Sequence, residues 1–245
     1  MFDSYAEIFA ERGAAYHAAM AACPRARDAE FHAVLEPLRN SPEGLLCDLP
    51  SGGGYLAAHL PPGLRYVGVD PSDDFIDACP AGLDRIKADL VAVPLDDASV
   101  DYIVSLAALH HEPDLPSVFR EMRRLLRAGG RAVIADVAID TAPAVFLNGF
   151  VHANNPMGHE GHFLDDRIAG LLENAGFMIS DDRLVDVPWK FETRGEAGQF
   201  CSQLFWMPSL DAGVVADAMD REIGFFASDG QIHLRWQLRR ITCSA

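Results

Sequence analysis

The sequence predicts an α/β fold in which helices cover a doubly wound, mostly parallel sheet of seven strands. Short apolar segments alternate with helical segments between residues 41 and 140. Strands without a polar face are typical of a parallel sheet that is buried on both sides. The right-handed crossover rule then gives the doubly wound arrangement. A late segment with alternating apolar and polar residues predicts an antiparallel last strand.

The first 40 residues predict helices that precede the sheet. Aromatic residues recur at helical spacing from Phe2 to Tyr16, and Pro24 separates this run from a second one that ends near Leu38. We expect these residues to form a helical cap. Its aromatic face either packs on the edge of the sheet or closes over a ligand as a lid.

The central segment predicts five strands and the helices between them. The strands are expected at residues 45–49, 66–69, 86–88, 102–109 and 132–139. A helical stretch should follow the first strand and end near Leu60. An amphipathic helix over residues 115–126 has apolar side chains at i, i+3, i+4 and i+7, and Gly129 with Gly130 would stop it.

The last hundred residues complete the predicted sheet. We expect a helix at 164–175 that Gly176 stops, a sixth strand at 177–187, and the antiparallel strand at 233–241. Between these strands, residues 192–228 look helical, and the aromatic side chains at about 190–228 either pack in the core or cover a ligand. The whole chain, 1–245, is predicted to be one domain with a cap (1–40), a cofactor-binding core (41–140) and a remainder (141–245).

Composition and charge exclude several classes of partner. The chain has 36 acidic and 20 basic residues and a net charge of −16, which repels nucleic acid and anionic membrane surfaces. Its five cysteines form no CxxC pair, which argues against disulfides and for a reducing cytoplasm. We therefore expect a cytoplasmic protein with a small-molecule partner. The N-terminal helices and the late aromatic segment could pair two chains as a homodimer.

A glycine turn and acidic strand ends predict a ligand site. Gly52, Gly53 and Gly54 follow the first strand, where bare backbone can approach a ligand. In open α/β sheets, ligands bind at the carboxyl ends of the strands. Asp70 ends the second strand and could accept hydrogen bonds from ribose hydroxyls, whereas Asp89 follows the third and could read an adenine edge. The alternative is that these residues form ordinary turns and helix caps.

Two nucleoside cofactors fit this pattern. Gly52, Gly54 and Ala57 satisfy the form G-x-G-x-x-A, so an NAD-dependent oxidoreductase must be considered. Two helices precede the first strand, however, whereas a dinucleotide-binding domain usually begins with its strand. A second mononucleotide-binding half is not evident.

The ordered motifs between about 45 and 139 resemble class I S-adenosylmethionine-dependent methyltransferases, in particular the small-molecule group called methyltransferase type 11 or UbiE-like. The resemblance implies a Rossmann-like fold, S-adenosylmethionine as cofactor and S-adenosylhomocysteine as product. The matching segments are Asp48 to Gly54, Val69-Asp70-Pro71-Ser72, Ala88-Asp89, Val93-Pro94-Leu95, Asp101-Tyr102-Ile103-Val104, Leu109-His110-His111, Arg120-Glu121, Arg124-Leu125-Leu126 and Gly129-Gly130.

The same resemblance implies roles for individual residues. The methionine part would lie on Asp48 and the turn, near Leu106. Apart from the resemblance, if the aromatic face of the first helix is a lid, Arg12 on that helix could pair with the methionine carboxylate. The ribose would lie on Asp70, and the adenine by Asp89 and Leu90. Pro50 departs from the family pattern because proline lacks the N–H that a glycine would offer. The implied cofactor-binding set is Asp48, Ser51, Gly52, Gly53, Gly54, Asp70, Pro71, Asp89, Leu90, Leu106 and Arg12.

Histidines supply the candidate catalytic groups. His110 and His111 follow the fourth strand, where either could act as a general base or could orient the loop. His152, His159 and His162 form a second group, but Gly158 and Gly161 break the helix that a metal-binding histidine pair would need, so we expect no metal site.

Aromatic residues supply the candidate substrate pocket. The same residues could instead be ordinary core. The expected set is Tyr5, Tyr16, His152, His162, Trp189, Phe205 and Trp206. We therefore expect methyl transfer to an oxygen, nitrogen or carbon of a small, partly hydrophobic molecule. A non-catalytic sensor or scaffold that binds the same cofactor is the remaining alternative.

Overall fold

The chain folds around two sheets. The computed structural model describes residues 5–41 and 43–245, so Phe2 and Asp3 lie outside the described residues. The strands are β1 Gly44–Asp48, β2 Leu64–Asp70, β3 Asp84–Lys87, β4 Val100–Leu106, β5 Leu126–Asp136, β6 Met178–Asp186, β7 Trp189–Phe191, β8 Phe225–Ser228, β9 Gln231–Leu234 and β10 Gln237–Ser244. The main sheet has the order β3-β2-β1-β4-β5-β10-β6, and the small sheet has the order β7-β9-β8.

Helices precede the main sheet and cover both of its faces. They are α1 Tyr5–Ala22, α2 Asp28–Leu35, α3 Asp73–Ala78, α4 Leu115–Leu125, α5 Ala142–Phe146, α6 His152–Asn154, α7 Arg167–Asn174, α8 Arg194–Leu204 and α9 Ala212–Glu222. Short 3₁₀ turns lie at Glu36–Leu38, Tyr55–His59 and Leu109–His111, and a π-helical turn lies at Leu147–Val151. None of the helices within residues 5–41 and 43–245 is long and apolar enough to cross a membrane.

The pairing of the strands confirms the predicted architecture. β1 lies between β2 and β4 and is parallel to both. β3 and β5 extend the parallel pairing outward, and β10 inserts between β5 and β6 antiparallel to both. The order of the strands reverses between β1 and β4. At such a point the carboxyl ends of the strands open a crevice in which ligands bind.

Side chains of consecutive residues in the strands point to opposite faces of the sheet, where they pack into two separate cores. Leu46 and Val133 belong to the core on the side of α2, whereas Cys47 and Ile134 belong to the core that contains Phe119 of α4. This follows from the period of two along a strand. Because both faces are buried, the strands carry apolar residues on both sides, as the sequence predicts.

The small sheet departs from the prediction that residues 192–228 are helical. Helices α8 and α9 lie there, but β8 ends the segment and pairs with β9. The strand predicted at 233–241 is also divided between the two sheets. Trp236 lies at the break, where its N–H donates to Leu234 O at 2.8 Å and its O accepts from Val187 N at 2.9 Å. Leu234, Trp236 and Leu238 are all buried in one core, so the apolar pattern continues across the break.

Two helix boundaries also differ from the prediction. The glycine turn leads into the 3₁₀ turn Tyr55–His59, which begins after Gly54 in the left-handed region, and not into an α-helix. Helix α4 ends at Leu125 and not at Gly129 with Gly130, since Leu126 is already extended. The carbonyl oxygens of Arg124 and Leu125 accept hydrogen bonds from Ala98 N and Ser99 N. The glycine pair lies within β5.

The close approach of α8 and α9 gives a test of the fold. A Cβ on Gly198 would lie 1.9 Å from Ala212 O, whereas a Cβ on Gly170 in α7 would meet no atom within 4 Å. We expect Gly198→Ala to lower the free energy of unfolding by about 1–3 kcal/mol. The control Gly170→Ala should raise it by about 0.5–1 kcal/mol, since alanine is the better helix former. Denaturant unfolding would measure both; equal stability of the two variants would contradict the α8–α9 contact.

Candidate active site

The glycine turn presents bare backbone to a cavity at the switch point of the sheet. Gly52 has a φ of +53°, and a Cβ there would meet no atom within 4 Å. Ser51 N donates to Val69 O at 2.9 Å, which ties the turn to β2. The cavity, here called the glycine-turn cavity, has a volume of about 50 Å³. Its walls are Tyr5, Phe9, Tyr16, Arg27, Phe31, Asp48, Pro50, Ser51, Gly52, Tyr55, Leu56, Phe75, Leu106, Ala107 and Ala108.

Two buried carboxyl groups lie at this edge of the sheet. Asp48, at the end of β1, accepts a hydrogen bond from Tyr66 Oη at 2.9 Å. Asp70, at the end of β2, accepts from Gly52 N at 2.8 Å, from Ser72 N at 2.9 Å and from Tyr5 Oη at 3.2 Å. No basic side chain of the described residues forms an ion pair with either carboxylate.

Burial makes both carboxyl groups weak acids. It raises the pKa of Asp48 to about 8 and that of Asp70 to about 7. The hydrogen bonds from Tyr66 to Asp48 and from backbone N–H groups to Asp70 oppose the effect without cancelling it. A cationic ligand would favour the charged forms of both carboxylates.

The remaining residues of the predicted cofactor set lie near this cavity with different exposures. Asp89 is exposed and accepts from Val91 N at 3.1 Å, and the preceding Ala88 donates its N–H to Asp70 O at 3.2 Å. The Leu90 side chain is buried in the core, so only its backbone could face a ligand. Gly53, Gly54 and Pro71 are not among the residues that line the cavity, whereas Ser51 and Leu106 are.

Helix α1 lies over the glycine-turn cavity and not on the edge of the sheet. Tyr5 and Phe9 are buried against Phe75 of α3 and Ala108. The rings of Tyr5 and Phe9 are 4.6 Å apart, and those of Phe9 and Phe75 are 4.7 Å apart. The hydrogen bond from Tyr5 to Asp70 joins the helix to the end of β2. Helix α1 therefore covers the glycine-turn cavity with the side chains of Tyr5, Phe9 and Tyr16.

A second cavity, here called the histidine cavity, adjoins the first. It also has a volume of about 50 Å³ and shares with the first cavity the walls Phe9, Tyr16, Arg27 and Ala107. Its other walls are Arg12, Glu30, His110, His111, Val137, Leu147, His159, Trp189, Leu204, Phe205 and Trp236. Ligands in the two cavities would therefore lie side by side.

His110 is oriented by a carboxylate at the end of β5. Asp136 Oδ1 lies 2.7 Å from His110 Nδ1, and its Oδ2 accepts from His110 N at 3.1 Å. Because an ionised carboxylate only accepts, His110 carries a proton on Nδ1. When His110 is neutral, its Nε2 is free to accept a proton.

His111 contacts Arg12 and is neutral. Arg12 Nη2 lies 3.1 Å from His111 Nε2, and because a guanidinium only donates, the proton of His111 is on Nδ1. Burial, together with the charges of His110 and Arg12, holds the pKa of His111 well below its usual value. His159 lies on the same wall, with its Nδ1 3.0 Å from Asn148 Oδ1, and burial lowers its pKa as well.

His110, His111 and His159 have ligand atoms within 4.8 Å of one another. Such spacing is close to what a shared metal ion requires. The guanidinium of Arg12 lies at His111 Nε2, however, and its positive charge disfavours a cation at this point.

Aromatic rings form the opposite wall of the histidine cavity. Trp189 stacks on Trp236 at 4.3 Å and lies 6.0 Å from Phe205. Trp189 Nε1 donates to Glu30 Oε1 at 2.7 Å, and Glu30 is also paired with Arg27. The wall is therefore held by a buried ion pair, so its rings have fixed positions.

The predicted site residues divide between these cavities and the surface. Tyr5 lies on the glycine-turn cavity, Tyr16 on both cavities, and Trp189 and Phe205 on the histidine cavity. Arg12 lines the histidine cavity, away from the glycine turn. Of the predicted substrate residues, three do not line either cavity, and the first two are exposed: His152, His162 and Trp206. Of the predicted cofactor residues, six do not line either cavity: Gly53, Gly54, Asp70, Pro71, Asp89 and Leu90.

Sequence reasoning missed three residues of the site. Asp136 ends an apolar strand just as Asp48 and Asp70 do, so the same signal could have found it. Glu30 and Trp236 gave no such signal, because each lies in a segment that reads as an ordinary helix or strand.

The central segment of the chain matches a known protein family. Residues 47–134 match the family model described as a methyltransferase domain. Methyltransferase GfsG of Streptomyces halstedii is 36% identical over 122 residues, which are 46% of this chain and 42% of that protein. The chain spans less than half the length of the curated relatives it matches.

Solved structures have the same fold. A SAM-dependent methyltransferase of Thermotoga maritima matches with a TM-score of 0.63 and 17% identity, over 98% of this chain and 99% of that chain. Phosphoethanolamine N-methyltransferase 2 of Haemonchus contortus, in complex with S-adenosyl-L-methionine, has a TM-score of 0.63 and 14% identity, over 98% of this chain and 60% of that chain. At these identities the likeness concerns the fold.

The raised pKa values predict how stability depends on pH. The folded protein holds the protons of Asp48 and Asp70 more tightly than the unfolded chain, so the free energy of unfolding should fall as the pH rises from about 4 to about 8. Asp48→Asn removes one of these titrations. Above about pH 8 the variant should be more stable than the parent by about 1–3 kcal/mol, and the difference should shrink toward pH 4.

Thermal unfolding at several pH values would measure this difference. The control Asp77→Asn changes an exposed carboxylate on α3 and should follow the parent at every pH. If Asp48→Asn also followed the parent, Asp48 would not be a weak acid.

Proposed function

We propose that this chain, which carries a methyltransferase domain at residues 47–134, transfers a methyl group from S-adenosylmethionine to a nucleophile of a small molecule. The supporting observation is the pair of adjoining cavities. One is lined by a bare glycine turn and the buried carboxylate of Asp48, with Asp70 hydrogen-bonded to its walls Gly52 and Tyr5, and the other is lined by a carboxylate-oriented histidine. The proposal includes a reducing, cytoplasmic setting, which the five unpaired cysteines support.

The residues of the glycine-turn cavity have the chemistry that this cofactor needs, and since the cavity holds only about 50 Å³, α1 is proposed to move as the cofactor enters. S-adenosylmethionine carries an ammonium and a sulfonium group, and Asp48 is a buried carboxylate without a basic partner among the described residues. Asp70 offers acceptor oxygens to a ribose diol, with Tyr5 giving way to the incoming hydroxyl. The open space over Gly52 lets backbone N–H groups approach the cofactor. Asp89 and the Leu90 backbone are proposed to read the adenine.

The protein's own task in the reaction is alignment, exclusion of water and removal of a proton. The cofactor supplies a methyl group that is already electrophilic, so alignment of the acceptor carries much of the rate. His110 is the proposed general base, since Asp136 holds its proton on Nδ1 and leaves Nε2 free. Asp136 is a positioning residue. The buried rings of Tyr5 and Phe9 close the site from above and exclude water.

The alternatives are less well supported. The family match favours methyl transfer over NAD-dependent oxidation, because the matched segment contains the glycine turn and the strand ends. A scaffold that only binds the cofactor would not need a second cavity with an oriented histidine. We propose that Tyr16, Trp189 and Phe205, which line that cavity, contact the acceptor.

Asp70→Asn tests the cofactor site. The amide keeps the shape but loses the charge and one acceptor oxygen, so the Kd for S-adenosylhomocysteine should rise about tenfold or more. The amide also turns its NH₂ group toward one of the donors that Asp70 accepts from, so the melting temperature should fall by a few degrees while the protein stays folded. Isothermal calorimetry would measure the affinity, with Asp77→Asn as the control that keeps it. No binding of S-adenosylhomocysteine by the parent protein at millimolar concentration would refute the proposal.

His110→Gln tests the proposed base. With radiolabelled S-adenosylmethionine and a fractionated extract of small molecules as the source of acceptor, we expect the rate of methyl transfer to fall by about 10²–10⁴-fold. The affinity for S-adenosylhomocysteine should stay within about twofold, because His110 does not line the glycine-turn cavity. A rate that is unchanged in His110→Gln would exclude His110 as the base.

A further inference from the structure

The guanidinium of Arg12 is buried without a counter-ion. Arg12 is 5% exposed, and it forms no ion pair with any carboxylate of the described residues. Its Nε has no hydrogen-bond partner, and its Nη2 contacts only the neutral His111. A charge taken out of water is costly unless an opposite charge accompanies it. Within the part of the chain that the structure describes, no group of opposite charge accompanies Arg12 in this cavity.

The neighbours of Arg12 do not supply that charge. The face of Phe9 lies 4.5 Å from the guanidinium carbon and gives only a cation–π contact. Glu30 lines the same cavity, but its oxygens are taken by Arg27 and Trp189. Asp136 accepts hydrogen bonds from His110 and Val137. The carboxylates closest to the cavity are thus already engaged.

The position of Arg12 favours the acceptor over the cofactor as the source of an opposite charge. Arg12 lines the histidine cavity and not the glycine-turn cavity. It contacts His111, and the rings of Trp189 and Trp236 line the same cavity. An acceptor there could direct an acid group to Arg12 while its nucleophile faces His110. Because the cavity holds only about 50 Å³, a flat acid larger than formate would enter it as α1 moves.

We propose that the methyl acceptor is a small aromatic or otherwise flat acid whose carboxylate pairs with Arg12. This inference rests on the proposed function and names its substrate class. The carboxylate forms two parallel hydrogen bonds with the guanidinium, as is typical of arginine–carboxylate pairs. The flat part contacts the aromatic side chains that line the cavity. As the bond between the nucleophile and the methyl carbon forms and the bond from that carbon to sulfur breaks, the proton of the nucleophile passes to His110 Nε2. Arg12 selects the acceptor by its charge.

The test compares matched charged and neutral probes on the protein loaded with S-adenosylhomocysteine. Benzoate and benzamide have the same shape, and formate and formamide are the smallest such pair. We expect benzoate and formate to bind and to raise the melting temperature, with affinities about tenfold or more above those of the amides. Equal binding of acid and amide, or no binding of either acid at tens of millimolar, would overturn the proposal.

The variant Arg12→Met tests whether this side chain causes the preference for the acids over the amides. The variant should lose the preference for benzoate over benzamide, and its affinity for S-adenosylhomocysteine should stay within about twofold of the parent. Arg12→Lys keeps the charge and should keep part of the preference. If Arg12→Met did not fold, Arg12→Lys and the probe pairs on the parent protein would test whether Arg12 binds the acid. An Arg12→Lys variant that kept the full parental preference for benzoate would count against pairing by the guanidinium.

Two other outcomes would assign Arg12 or the histidines differently. If Arg12→Met weakened S-adenosylhomocysteine but not 5′-methylthioadenosine, which lacks the carboxylate, Arg12 would hold the cofactor and the proposal would fail. Stoichiometric Zn²⁺ binding that depends on His159 would also overturn it. If S-adenosylhomocysteine did not bind at all, the proposed function would fail by itself, and the same acid and amide titrations on the unloaded protein would still report on Arg12.

Discussion

Three parallel strands end in buried carboxylates at one edge of the sheet, and the rest of the site is built on them. Asp48, Asp70 and Asp136 are each no more than 3% exposed. A carboxylate in such surroundings needs hydrogen-bond donors. The donors to each carboxylate fix a different part of the site. The hydrogen bond from Tyr66 holds Asp48 at the end of β1, and the one from Tyr5 joins α1 to Asp70. The contact between His110 and Asp136 orients the imidazole in the second cavity.

This constraint explains how much of the site could be predicted from the sequence. An apolar strand that ends in Asp is a local pattern, and it located the crevice through Asp48 and Asp70. The partners of these residues come from distant parts of the chain, as with Tyr5 and Asp70 or Glu30 and Trp189. Such contacts depend on packing between elements, which spacing along the chain does not encode. The prediction of His152 and His162 as pocket residues has the same weakness, because both side chains are exposed.

In the fold, too, the local patterns could be predicted and the contacts between distant elements could not. The central parallel strands β1, β2, β4 and β5 were predictable, because each carries an apolar run that ends in a turn or an acid, whereas β3 at the edge is mostly polar. The small sheet was not, since β8 and β9 are four residues long and Trp236 continues the alternation across the break between β9 and β10. A period of two reports which side chains are buried, but not which sheet they join.

The hydrogen bond between Tyr5 and Asp70 has a kinetic consequence. A ligand that reaches Asp70 competes with the hydroxyl of a helix that also covers its exit. If α1 moves aside to admit the ligand and to release it, the entry rate scales with the fraction of time that α1 is raised in the free protein, and the release rate with that fraction in the complex. Loss of the Tyr5 hydroxyl would remove a competitor for Asp70, and would therefore both speed entry and strengthen equilibrium binding.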